Sequence, residues 1–164
     1  MTEHYGRIMV WYSAIWICGA PVDYKGDRSP SLIGGIDDFV TIKALANDVY
    51  AGVRVVTSEA ALPVDNQEQW DRIEERSVTF NAPPYLMVSL TEPGFLVDPA
   101  LQDLSLPAGH YVLRCYSRGS VAAGRAYPYG APPRDEQSDD PASFIQQFRI
   151  EFWPASPDTG AAIT

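Results

Sequence analysis

Apolar and polar residues change places at every second position along several short stretches of this chain, the period of strands whose side chains point alternately to core and solvent. The run at residues 7–18 (RIMVWYSAIWIC) is β-branched and aromatic, with Gly6 before it and Gly19 and Pro21 after it, and predicts a buried first strand. The polar stretch at 23–35 predicts a loop. Residues 36–45 (IDDFVTIKAL) and 50–58 (YAGVRVVTS) predict a strand pair with a short turn at Asn47 and Asp48, the first member having room for some helix. Pro83 and Pro84, which lack amide donors, separate a strand at 77–81 from one at 85–91, and Pro93 with Gly94 marks a turn.

Residues 104–117 (LSLPAGHYVLRCYS) predict a hairpin: a short strand, a turn at Pro107, Ala108 and Gly109, then a strand with Tyr111, Leu113 and Cys115 on one face. Residues 144–153 (FIQQFRIEFW) predict a half-buried final strand, with Phe144, Gln146, Phe148, Ile150 and Phe152 sharing a face. Residues 65–75 (DNQEQWDRIEE) fit a short surface helix begun by Asp65 with Glu68 three positions on, or a solvated loop. Residues 119–143 turn to Gly, Pro, Tyr and acids, the composition of a long exposed loop. With no repeat and no βαβ alternation, the pattern predicts a single mainly β domain over residues 1–154. Its expected architecture is an antiparallel β-sandwich or distorted barrel of about eight strands, with at most one or two short helices. Residues 155–164 read as a disordered tail.

Composition supports this reading, because the 12% aromatic share, rich in Tyr, suits pleated, half-buried surfaces. No apolar run approaches the ~20 residues that cross a bilayer, and no signal peptide is visible, so a cytoplasmic address is expected. In that compartment Cys18 and Cys115, far apart and inside apolar runs, read as two reduced core thiols. Charge changes the picture more. Twelve Lys and Arg against twenty-one Asp and Glu leave a net −9, which repels phosphates and argues against direct binding of nucleic acid.

Candidate chemistry is sparse. His4 lies in what reads as a mobile terminus and His110 follows the hairpin turn, so neither is assigned a catalytic role. There is no CxxC, HxxxH or DxDxDG pattern, so no metal and no cofactor are expected. The adjacent pairs Asp37-Asp38 and Asp139-Asp140 would point to opposite faces if they sat on strands. Two carboxylates distant in sequence could still converge for hydrolysis, although twenty-one acids make chance proximity the simpler account. The glycines of 32–35 and 119–130 match neither phosphate-binding fingerprint and read as turns. The aromatic pair Tyr127 and Tyr129 offers either loop packing or rigid contact area for a partner.

The hairpin LSLPAGHYVLRCYS, the preceding ERSVTFNAPPYLMVSLTEPGFLV and the early YSAIWI together resemble the pattern of the competence protein J family, whose founding type is a small inhibitor of a DNA-entry nuclease. The resemblance spans residues 11–118 in outline and is best over 76–118, on hairpin-forming and core residues that speak for fold more than function. It implies a non-catalytic inhibitor or immunity protein that blocks a bacterial nuclease toxin with a basic groove. The long segment after Gly119 departs from that pattern. An acidic, aromatic-containing contact surface is then expected from Glu68, Trp70, Asp71 and Glu74, which would lie near one face of the 65–75 helix. Tyr127, Tyr129, Asp135, Glu136, Asp139 and Asp140 in the long loop would complete it. Two other function classes compete: a small-ligand or carbohydrate-binding sandwich that uses Trp and Tyr, and a hydrolase with two distant carboxylates.

Overall fold

The computed structural model describes residues 1–10, 12–24, 29–88, 96–127 and 139–156. Among them are nine strands in two sheets. The larger sheet has the order β1 (Thr2–Val10), β5 (Val49–Thr57), β9 (Gln147–Pro154), β8 (Gly109–Arg118), β6 (Arg72–Phe80). The smaller has β3 (Ile33–Ile36), β4 (Phe39–Lys43), β2 (Ala14–Cys18), β7 (Tyr85–Met87). Every pairing is antiparallel except β5 with β9. The sheets face each other as an open sandwich, not a closed barrel. Ile8, Val53, Leu113 and Phe152 of the larger sheet share one core with Ile15, Ile17, Val40 and Ile42 of the smaller.

The stretch at 7–18 is two strands, not one. The chain changes sheets between Val10 and Ala14, where Tyr12 and Ser13 adopt positive φ (53° and 54°) and Ser13 accepts from the Ala44 amide. It changes back between Lys43 and Val49, so the predicted pair of 36–45 with 50–58 does not form. β4 pairs with β2 and β3, and β5 with β1 and β9. Part of the predicted 23–35 loop is strand β3, which makes a tight hairpin with β4 through Asp37 and Asp38.

The predicted 104–117 hairpin is only half present. Its second arm is β8, whose neighbours β6 and β9 leave no sheet edge free for a strand from 104–106. Leu104 instead drops into the core, and Ser105 takes φ 53° while donating to Asp103 Oδ1 at 2.8 Å. β9 begins at Gln147, with Phe148, Ile150 and Phe152 on the core face as the alternation required. His4 is part of β1 rather than of a loose end, its Nδ1 lying 3.0 Å from Ala100 O. His110 is an exposed member of β8 whose Nδ1 lies 2.7 Å from Thr79 Oγ1.

No helix forms over 65–75. Asn66, not Asp65, caps a 3-10 turn at Gln67–Gln69 by accepting from the Glu68 amide, and β6 starts at Arg72. The first half of β6 is charged because its side chains stitch the two sheets together. Glu74 accepts from Ile33 N at 3.0 Å and Arg76 donates to Gly35 O at 2.9 Å, which satisfies the open edge of β3. Burial opposes the charged form of Glu74, but the backbone amides of Leu32 and Ile33 and the Arg72 guanidinium outweigh it and lower its pKa.

The segment 119–143 is not one exposed loop. It begins with helix α1 (Ser120–Ala126), whose Ala123 packs with Tyr127, Ala46 and Val49 in a small second core, and it ends with a 3-10 turn at Pro141–Ser143. Of the tail, Ala155 and Ser156 are described, and the Ala155 amide donates to His110 O. No helix among the described residues is long and apolar enough to cross a membrane.

Candidate functional site

A cleft of about 820 Å³ lies on the outer face of the smaller sheet. Its floor follows from strand register. Phe39, Cys18 and Tyr85 form one cross-strand row, Gly34, Thr41, Trp16 and Met87 the next, and Lys43 and Ala14 the third. Their sequence neighbours Val40, Ile42, Ile15 and Ile17 are fully buried on the opposite face, so these side chains must point outward. Gly34, Thr41 and Ala14 are small, and they leave a hollow at the centre of the sheet. A chain segment following β2 builds the wall: Tyr24 stacks on Phe39 with ring centroids 4.7 Å apart, and Trp16 lies tilted against the same ring at 5.2 Å. Tyr12, Val22, Leu45 and Tyr85 are exposed apolar side chains, and all four also line the cleft.

The polar groups of the cleft differ in how fully they are engaged. Asp38 is buried and accepts from Ala20 N (2.9 Å), Asn81 N (2.6 Å) and Asn81 Nδ2 (2.6 Å). Burial disfavours its charge, yet these donors prevail and its pKa is lowered. Lys43 reaches Ser29 O with its ammonium and makes no ion pair with any described residue. Cys18 is a free thiol whose pKa burial pushes up to about 12, so it is not a thiolate nucleophile near neutral pH. Cys115 is also free and lies wholly in the core. Among the described residues no group of three or more His, Cys, Asp and Glu is placed to hold a metal ion.

Of the seven described members of the acidic surface read from the sequence, five support the fold. Glu68 is exposed. Trp70 packs on Tyr116 at 5.3 Å, under Arg118, and donates from Nε1 to Asp65. Asp71 Oδ2 accepts from Gly119 N at 2.8 Å, and Glu74 is turned towards β3. Asp71 and Glu74 therefore do not share a helical face with Glu68. Tyr127 is buried against α1, and Asp140 caps the Pro141–Ser143 turn through Ala142 N. Asp139 is 96% exposed, its carboxylate 3.6 Å from Arg7. Tyr129, Asp135 and Glu136 lie outside the described residues.

A second, more polar hollow of about 480 Å³ lies beside Trp70, Glu75 and Arg114 on the larger sheet. Beneath it sits a closed network. Glu151, with no exposed surface, meets Arg114 at 3.2 Å and Arg149 at 2.8 Å and accepts from Tyr116 Oη. Arg114 also holds Leu62 O and Glu75, and Tyr116 Oη accepts from Asp65 N. These bonds clamp the 58–70 segment onto the sheet and account for its polar members.

No family model matches the chain, and no curated protein matches it in sequence. A solved structure described as crocagin biosynthetic gene J is similar to it over 95% of this chain and 100% of that one, with a TM-score of 0.52 and 17% identity. At that identity the likeness is one of fold.

Proposed function

We propose that this protein is a non-catalytic binding module that holds a small, largely apolar ligand in the cleft of its four-stranded sheet. The observation that carries the reading is a hollow of about 820 Å³ walled by Trp16, Phe39 and Tyr24, within the size range and character of small-molecule sites. Chemistry is not supported there by the groups present: Asp38 is fully engaged as an acceptor and Cys18 is held as a thiol. Thr41 lies at the centre of the floor with its side chain off the core, so Thr41→Trp fills the hollow without overpacking the interior. We expect this variant to melt like the wild type and to lose at least about tenfold in affinity for the uncharged fluorophore N-phenyl-1-naphthylamine, measured by fluorescence titration. Equal binding by both proteins would remove the cleft from consideration.

The nuclease-inhibitor reading has a separate support, the net charge of −9 together with the exposed carboxylates of Glu68 and Asp139. It expects the protein to protect duplex DNA from one nuclease without itself retarding DNA in a gel, and Asp139→Lys to slow association with that nuclease. Retardation of the DNA alone would show substrate shielding in place of enzyme inhibition.

A further inference from the structure

We propose that the ligand of this cleft is an anion with an aromatic body, its ring against Trp16, Phe39 and Tyr24 and its charged end on Lys43. The inference rests on the ligand-binding reading and deepens it. Phe39, Thr41 and Lys43 lie on the same face of β4, so the aromatic wall and the ammonium are four residues apart, on the order of 13 Å along the strand. Small residues lie between them, which opens a path for a ligand that touches both ends.

The charge of the ligand follows from what each polar group still lacks. An ammonium has three donors; Lys43 uses one on Ser29 O and has no carboxylate partner among the described residues. Of the two described carboxylates on the cleft, Asp38 already accepts from three N–H groups, and Asp23 is exposed. Among the described residues the cleft therefore presents an unmatched cation at one end, an aromatic wall at the other, and no unmatched carboxylate in its depth. The overall charge of −9 opposes an approaching anion, but that repulsion is screened over about 8 Å in physiological salt. Contact with Lys43 inside a partly enclosed hollow is screened much less, so the local cation decides which ligand is kept.

Two probes with the same ring system separate the terms: 1-anilinonaphthalene-8-sulfonate carries the anion, and N-phenyl-1-naphthylamine lacks it. With the full chain we expect the sulfonate to bind about tenfold or more tightly than the neutral probe, and its affinity alone to fall as salt rises. In Lys43→Met the ratio of the two affinities should drop to about one, whereas Lys43→Arg should keep most of the preference. A cooperative melt for each variant shows that the change is local, and the salt dependence of the wild type tests the point without any substitution. A neutral probe that binds as well as the sulfonate, or a ratio unmoved in Lys43→Met, would overturn the anion assignment and leave the cleft standing. Failure of both probes to bind, or binding of both undiminished in Thr41→Trp, would overturn the cleft reading and this inference with it.

Discussion

Replacing Glu151 with alanine is expected to destabilise the protein by about 3–5 kcal/mol, because it strips the buried carboxylate from a guanidinium that cannot regain water and keeps only the half-exposed Glu75. Glu151 has no exposed surface and Arg114 keeps only 9% of its side chain exposed, with their charged atoms 3.2 Å apart. The same carboxylate receives Arg149 Nε and the Tyr116 hydroxyl, so three donors lose their acceptor in one step. The damage should spread to the 58–70 segment, since Arg114 and Tyr116 hold it through Leu62 O and Asp65 N. Replacing both members, as Glu151→Met with Arg114→Met, should cost much less than the sum of the single changes, because a buried pair is expensive to break and cheap to remove whole. Urea unfolding of the singles and the double measures this. A loss below about 1 kcal/mol in Glu151→Ala would mean that water reaches Arg114 and that the network does not hold the segment.

That network also explains where sequence reading succeeded and where it stopped. The alternation of Phe148, Ile150 and Phe152 was legible because their shared face is the core of the sandwich. The opposite face of β9 was not, since Gln147, Arg149, Glu151 and Trp153 read as a solvated side and are in fact covered. Polar residues buried in pairs carry no hydropathy signal. The second half of β6 was legible as the 77–81 strand, but its first half was not: Arg72 and Glu74 read as part of a helix or loop over 65–75, yet with Arg76 they take up the open backbone edge of β3 and its approach. The sheet switch at Tyr12 and Ser13 was hidden inside a strand-like run, where the two residues turn without a Gly or Pro to mark them.

The cleft was half visible. Ala14, Trp16 and Cys18 alternate with Ile15 and Ile17, and Phe39, Thr41 and Lys43 with Val40 and Ile42, so each outward set could be read strand by strand. What could not be read is the register that places Trp16 beside Thr41 and Cys18 beside Phe39 and joins two sets into one floor. The acidic clusters attracted attention because charge is conspicuous in a sequence. Asp71, Glu74 and Asp140 prove to cap backbone amides, a local duty that composition does not distinguish from an exposed face.

Asp38 joins the stability of the fold to the shape of the cleft, and its removal should show in both. Its carboxylate binds Ala20 N and two donors of Asn81, while its backbone carbonyl accepts from Gly19 N and its amide donates to Thr79 O. The residue sits at φ 64°, a conformation that Asp tolerates better than Ala. Asp38→Ala should therefore lose about 3 kcal/mol at neutral pH, from three unanswered donors and an unfavourable backbone. Asp38→Asn keeps one carbonyl acceptor and the left-handed preference, and should lose about 1 kcal/mol. The pH dependence separates charge from shape. The native pKa is lowered, so between that value and the unfolded value of about 3.9 the unfolded chain binds more protons than the native one, and stability rises with pH. This contribution is complete above the unfolded pKa and disappears as pH falls through the native one. The stability gap between wild type and Asp38→Asn should thus be constant above about pH 5 and shrink below about pH 4. Because Gly19 and Ala20 lead into the segment that carries Tyr24, Asp38→Ala should also weaken the binding of N-phenyl-1-naphthylamine under conditions where it remains folded. A gap that holds its size down to acid unfolding would show that Asp38 binds its proton equally in the native and the unfolded protein, and that its three bonds hold the wall of the cleft without favouring the charged form.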